Sequence, residues 1–537
     1  MLVRQPPFAR RLQRALWIWG AALSLTGCAT LPPLSTPPIS APPQPRATQG
    51  WLAQTFQESV ANNQPASGFH LVSLGLDGLL LRIELIDKAR ENLDLQYYIF
   101  RSDDTGRLVQ QALLRAADRG VHVRIITDDG ETVTGDEKLL LLAAHPGIEV
   151  RVFNPFDYRG HNRLLRGLDF LFHKSRLDYR MHNKLLVVDG TVAMTGGRNV
   201  GNQYFQVDPD SQFGDDDVLA VGPIVAHLAQ EFADYWNSPG TVAADRLQPH
   251  GGAAALASYR KELSAPPTKV DTYAAQFNER LQSGQPLQSI VAKKELTWAS
   301  SRLVYDSPEK RQIKAGERLG RLMYQPMAEQ IAATHSALTV VTPYFVPVPS
   351  EERLLAEKTS QKVRVRILTN SLPAAPDLLA QAGYMRHRRA LLRDGVELYE
   401  IRSELGSSRG SGESKRLTRY GNYALHAKLF VFDRTAVFIG SMNLDQRSVR
   451  LNTEMGLIIR SGTLADALSA RFDALTRPEN AYQVHFRGAD PAGRDPPLAW
   501  RTVENGTPLE LEKEPARSPW QRFEARCLTL LPLDPEL

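Results

Sequence analysis

Met181-His182-Asn183-Lys184-Leu185-Leu186-Val187-Val188-Asp189 is followed, after six intervening residues, by Gly196-Gly197-Arg198-Asn199. The pattern returns as Leu425-His426-Ala427-Lys428-Leu429-Phe430-Val431-Phe432-Asp433 with Gly440-Ser441-Met442-Asn443 after the same gap. The apolar runs Leu185 to Val188 and Leu429 to Phe432 end at Asp-Gly and Asp-Arg, which predicts a short buried strand entering a turn. Positions two apart on a strand share a face, so His182 points with Lys184 and His426 with Lys428. Asp189 and Asp433 have the opposite parity and read as structural anchors, while the glycine pair lets the backbone return Asn199 and Asn443 to the His/Lys face.

A histidine that attacks, a lysine that holds charge and an asparagine that donates hydrogen bonds suit a phosphoryl group. One histidine on a strand is more often a packing residue. Two copies with every spacing kept reverse that balance. The rest of the chain repeats in step: Leu93-Asp94-Leu95-Gln96-Tyr97-Tyr98 has its counterpart in Leu338-Thr339-Val340-Val341-Thr342-Pro343, and Val121 to Thr127 in Val363 to Thr369. Steady offsets mean internal duplication. Helical periodicity from Leu76 to Arg90 and from Leu108 to Arg119 alternates with strands at Leu93 to Phe100 and Val121 to Thr127, an α/β layered pattern.

The paired motifs resemble those of the phospholipase D superfamily, over about Ser73 to Arg477. The resemblance implies a duplicated α/β fold in which two pseudo-symmetric halves, each a mixed β-sheet flanked by helices, share one active site. Its catalytic motifs match His182, Lys184, Asp189, His426, Lys428 and Asp433 here. It implies that one imidazole attacks phosphorus to give a phosphohistidine, assigned to His182, while His426 acts as acid and base. Lys184, Asn199, Lys428 and Asn443 bind the phosphate oxygens, and no metal or other cofactor is required because the lysines supply positive charge. Glu454 matches the acid that orients a histidine; in the first half Asp215 is its nearest equivalent, with Asp217 on the same face. Phrases such as Thr342-Pro343-Tyr344-Phe345-Val346-Pro347 look like bacterial cardiolipin synthases of the type without transmembrane helices, which implies phosphatidylglycerol, with phosphatidylethanolamine or cardiolipin as further lipids, and a monomer. A hydrolase of the same fold, acting on phospholipid or nucleic acid, and a non-catalytic lipid-binding module stand as alternatives.

Residues 1–27 carry four arginines and no acid, so removing them takes the formal charge from +5 to +1 and leaves no bulk charge for nucleic acid. Their apolar core, Ala15 to Leu25, is too short for a permanent span and reads as an export signal. Leu25-Thr26-Gly27-Cys28 resembles a bacterial lipoprotein processing site, which predicts a lipidated, palmitate-bearing Cys28 and a membrane-anchored body facing the periplasm. Residues 28–50 are a proline-rich tether able to hold the body up to roughly 60 Å from the membrane. The remaining boundaries are 51–245 and 301–480 for the halves, 246–300 for a helical connector and 481–537 for a tail packing on the body. Helix Pro223 to Trp236 presents Val225, Leu228, Phe232 and Trp236 to the core. Two basic runs precede the motifs. Residues 158–181 interleave Arg159, Arg163, Arg166, Lys174, Arg176 and Arg180 with leucine and phenylalanine, and residues 402–419 carry Arg402, Arg409, Lys415, Arg416 and Arg419. Each fits a solvated loop or an anionic lipid surface equally well.

Overall fold

The computed structural model describes residues 41–130, 137–160, 162–208, 211–247, 251–265, 286–310, 322–405, 423–488 and 496–531. The leader, Cys28 and the tether to residue 40, residues 266–285 of the connector, Arg409, Lys415, Arg416, Arg419 and Leu533 lie outside the described residues.

The buried strand Asn92–Tyr97 lies between two neighbours, His122–Asp128 running parallel and Lys184–Val188 running antiparallel. In the second half Ala337–Val341 is flanked in the same sense by Arg364–Asn370 and Leu429–Phe432. The parallel pairs are crossed over by helices Asp104–Asp118 and Pro349–Ser360. Helix Asp104–Asp118 starts where the Asp103 carboxylate accepts the Gly106 N–H (3.1 Å) and stops before Gly120, at φ 92°. The first strand ends at Tyr97 rather than at Phe100, because the Ile99 N–H is taken by the Asn199 side chain (3.1 Å) instead of a strand neighbour.

The connector is not helical throughout. After helices Gly252–Leu263 and Pro286–Ala292 comes strand Thr297–Tyr305, which pairs antiparallel with Ser67–Val72 of the first half and with Met455–Arg460 of the second. Among the described residues it closes the two half-sheets into one 18-stranded sheet. The predicted boundary at 300/301 therefore cuts a strand whose two ends serve different halves. Helices Ile224–Trp236 and Gly462–Leu475 join a single apolar cluster with Leu185, Val187, Leu429 and Val431 of the two motif strands. Burial of that interface welds the halves together.

Two ends of the chain depart from expectation. Residues 41–50 are not free spacer: Ala41 donates to Asn237 (2.8 Å), and the buried Ala47 donates to the Asp189 carbonyl (2.8 Å). The tether's reach is shortened accordingly. In the tail, Trp500 of strand Leu498–Glu504 is buried and donates to Glu400 (3.0 Å), but Leu530 and Leu531 are exposed. Among the described residues no helix is long and apolar enough to cross a membrane.

Candidate active site

The two motif histidines stand just before their strands, where short stretches of one half pair with the other. Met181 bridges Thr453 in parallel, with the His182 N–H donating to the Thr453 carbonyl (2.9 Å). Reciprocally, Tyr423–Leu425 pairs in parallel with Gln212–Gly214, and the His426 N–H donates to the Gly214 carbonyl (2.7 Å). Each crossing delivers a carboxylate from the opposite half. His182 Nδ1 meets Glu454 Oε2 at 2.9 Å and His426 Nδ1 meets Asp215 Oδ2 at 2.5 Å, all four side chains being buried. With Nδ1–H held by a carboxylate, Nε2 keeps its lone pair for chemistry.

The crossings are held from behind by equivalent devices. Asp128, at the end of its strand, accepts the Met181 N–H (2.9 Å), and Asn370, at the end of the matching strand, accepts the Leu425 N–H (2.8 Å). Asn183 donates to the buried Glu231 (2.6 Å) and accepts from Thr453 (3.0 Å), tying the first motif to both halves.

Parity holds for the lysines. Lys184 Nζ donates to the His182 carbonyl (2.5 Å), and Lys428 Nζ lies 3.3 Å from His426 Nε2. Burial pushes both ammonium groups down, Lys184 strongly and Lys428 to about 8, although Glu454 and Asp215 oppose the shift. Burial and the two lysines also lower both imidazoles, His426 to about 3, which favours their neutral form. Burial raises Glu454 to about 7. Burial would raise Asp215 too, but His426, Lys428 and Arg198 outweigh it and hold that carboxyl low. An anionic phosphodiester entering between the lysines would restore positive charge to these groups.

Asn199 Oδ1 accepts the Ile99 N–H while its buried Nδ2 has no partner, a free donor of the kind a phosphate oxygen needs. The Asn443 amide leaves Oδ1 unpartnered. Turning that amide over would present its donor at the same place.

Asp189 and Asp433, carried into the catalytic set with the motif, are not part of this site. Asp189 accepts the N–H groups of Arg90, Glu91 and Asn92 (2.8, 2.8 and 3.0 Å), and Asp433 those of His335, Ser336 and Ala337 (2.9, 2.7 and 3.0 Å). They sit at the far ends of the motif strands with φ 53° and 51°, a left-handed conformation that short polar residues tolerate. Asp217, the alternative orienting acid, is occupied by Arg82 (2.9 Å) and Arg198 (3.2 Å). Of the first basic run, Arg159 binds Asp129 and Arg180 binds Asp128 (3.3 Å), so these cations support the fold beside the site.

Several site residues carried no motif signal. Tyr98 sets its ring edge to face with His182 (centroids 5.2 Å), whereas His426 stacks on Phe213 (5.2 Å, 16°) and meets Tyr204 edge-on (5.2 Å). Ser441 and Ser448 donate to the two oxygens of Glu454 (2.5 and 2.8 Å). In the first half Gly197 replaces Ser441, and a Cβ there would lie 2.1 Å from Asp215 Oδ1. The Gly/Ser alternation in the motif thus accompanies the Asp/Glu alternation in the acid. Among the described residues the grouping suited to a metal ion, Asp157, Asp169 and His173, lies outside this site and is already crossed by hydrogen bonds and by Arg176.

A family model described as cardiolipin synthase, PLD-like domain, matches residues 82–236 and again 327–476. The chain belongs to that family. The two matches fall on the two structural halves, so the duplication and the family domain coincide. Cardiolipin synthase C of Escherichia coli K12 is 37% identical over 470 residues, covering 87% of this chain and 95% of that protein. The major cardiolipin synthase ClsA of Bacillus subtilis 168 is 25% identical over 421 residues, covering 78% of this chain and 71% of its own. Among solved structures, phosphatidylserine synthase of Haemophilus influenzae Rd KW20 superposes with TM-score 0.52 at 13% identity, over 80% of this chain and 92% of that one, a likeness of fold. The duplicated phospholipase D fold expected from the sequence is the fold observed.

Proposed function

We propose that the chain is a phosphatidyltransferase that makes cardiolipin from phosphatidylglycerol and a second phospholipid. The observation that carries this reading is the pair of buried imidazole–carboxylate couples, each built from both halves, with a buried lysine beside each imidazole. Family membership and the likeness to cardiolipin synthase C support the lipid substrate.

In the first step His182 Nε2 attacks phosphorus and the bond to the leaving glycerol oxygen breaks, with a proton from His426 completing the departing alcohol. In the second, the hydroxyl of the acceptor lipid gives its proton back to His426 Nε2, its oxygen attacks phosphorus, and the P–N bond breaks to release a neutral His182. Lys184, Lys428, Asn199 and Asn443 bind the phosphate oxygens throughout. The assignment of His426 to proton transfer is supported by Asp215, which stays ionised and so favours an imidazolium partner, whereas Glu454, raised to about 7 by burial, holds His182 with less charge. A proton must reach His426 before the first step, and the charge of the bound phosphodiester supports its uptake.

The body acts beside a membrane, monomeric, anchored through acylated Cys28 and facing the periplasm. Labelling with a radioactive fatty acid should tag the wild type and not Cys28→Ser; equal labelling would refute the anchor. For the reaction, lipids of cells that lack their own cardiolipin synthases but express this chain are separated by chromatography. Cardiolipin is expected. Phosphatidic acid in its place would mean that water, not an alcohol, resolves the intermediate and that the chain is a hydrolase.

A further inference from the structure

Most large apolar side chains that the described residues expose gather in two places. The first is helix Arg163–Phe172, within the basic insertion ahead of the first motif, where Leu164 is 79% and Phe172 77% exposed, and Leu165, Leu168 and Leu171 are exposed too. Positions 164, 168 and 171 follow one another along a single stripe. The opposite face seats the helix through polar groups: Arg166 donates to the Asp129 carbonyl (2.8 Å) with its guanidinium 3.7 Å from the Phe156 ring centroid, and buried Asp169 accepts the Tyr158 N–H (2.8 Å). A solvated surface helix has the reverse arrangement, polar outward and apolar inward.

The second place is the C-terminal helix Pro519–Leu528 and the turn after it, with Trp520 68% and Leu530 83% exposed, and Phe523 and Leu531 exposed beside them. It is seated where Arg517 donates to the Pro373 carbonyl (2.7 Å), Gln521 to the Leu372 carbonyl (3.0 Å) and Arg386 to the Leu531 carbonyl (2.6 Å).

The two seats correspond under the duplication. Asp129 directly follows Asp128, which holds the residue before His182, and Leu372 lies two residues beyond Asn370, which holds the residue before His426. Two helices with no sequence likeness are thus attached at equivalent points, one on each flank of the shared site. Both are basic: residues 158–181 hold six arginine and lysine residues against two aspartates, and residues 515–531 hold Arg517, Arg522 and Arg526 against Glu524. Outward leucine, phenylalanine and tryptophan among cations match the interfacial region of an anionic leaflet.

We propose that helices Arg163–Phe172 and Pro519–Leu528 form a paired docking surface that sinks its apolar faces into a phospholipid leaflet, so that lipid phosphodiesters reach His182 and His426 without leaving the bilayer. The use made of docking rests on the phospholipid reading above; the docking itself does not. It is also separate from anchorage, because a tether limits distance but not orientation.

The test uses the full chain and vesicles of phosphatidylglycerol and phosphatidylethanolamine with brominated acyl chains. Tryptophan fluorescence should be quenched, and Trp520→Phe should abolish a resolved part of that quenching. In parallel, two pair variants, Leu168→Asp with Leu171→Asp and Trp520→Asp with Phe523→Asp, are assayed on vesicles and on a monomeric short-chain phosphatidylglycerol. Each pair should lower turnover on vesicles by roughly tenfold or more and leave turnover of the soluble lipid unchanged. Quenching that Trp520→Phe does not alter, equal losses on both substrates, or unchanged vesicle turnover would overturn the proposal. So would concentration-dependent self-association of the wild type that the pair variants abolish without any lipid quenching, which would assign the surface to a second copy of the chain. Should the chain turn over no phospholipid at all, the functional reading fails while the quenching still decides docking.

Discussion

At the scale of single residues, the site is a small group of buried charges whose protonation depends on what lies between them. Lys428 is lowered to about 8 by burial, so the free protein keeps its ammonium below that pH and loses it above. The sign follows: kcat/KM, which reports the free enzyme, should fall as pH rises through about 8. In the complex the phosphate anion favours the ammonium, so the same limb in kcat should lie at higher pH. Coincident limbs in the two profiles would count against Lys428 as the titrating group. A second expectation concerns Gly197. Any side chain there meets Asp215 Oδ1 at 2.1 Å, so Gly197→Ala should displace the acid that orients His426 and lower kcat by roughly 10²-fold or more. Wild-type kcat in that variant would mean that Asp215 does not need its place. The histidines and the lysines were legible in the sequence, because spacing on a strand and the motif repeat expose them, whereas Glu454 came from the family resemblance and the first half's acid stayed between Asp215 and Asp217. Which acid serves which histidine was not legible. That pairing is a contact between residues 211 and 272 positions apart, and no local pattern encodes it.

At the scale of elements, the motif aspartates show how a residue can belong to a signature without belonging to the chemistry. Parity predicted that Asp189 would leave the His/Lys face, and in the structure its carboxylate closes three backbone N–H groups where the strand Asn92–Tyr97 begins. Its left-handed φ explains why a short polar residue stands there. Asp189→Ala should therefore lower stability by roughly 2–4 kcal/mol. At a temperature where the variant stays folded, its kcat should lie near that of the wild type. Chemical denaturation beside steady-state kinetics separates the two effects, and a large kcat loss in a stably folded variant would return Asp189 to the catalytic set. The amphipathic insertion was only half legible. Its basic and apolar content could be read, but which side faces out depends on Asp129 and Phe156, residues outside the helix. The strand Thr297–Tyr305 was missed for a related reason: it is defined by its partners on both sides, Ser67–Val72 in one half and Met455–Arg460 in the other.

At the scale of the whole molecule, duplication was the most legible feature, since equal offsets between motifs require no knowledge of contacts. The mode of joining was not, because it depends on edges meeting in space. The consequence for function is that neither half holds a complete site: the first half's histidine leans on the second half's glutamate, and the second half's histidine on the first half's aspartate. If the two histidines act on one phosphorus in one cycle, removing either stops that cycle, and removing both has little left to remove. His182→Ala and His426→Ala should each lower kcat/KM by roughly 10³-fold or more, and the double variant should fall barely further, the non-additivity of groups that work as a unit. Two independent sites would behave differently, each single variant keeping about half the turnover and only the double variant losing it. The measurement is kcat/KM for the three variants on one lipid substrate, with far-ultraviolet circular dichroism to establish that each is folded. Half-activity in the singles would break the link between the crossed pairs and catalysis, whatever the pairs contribute to holding the halves together.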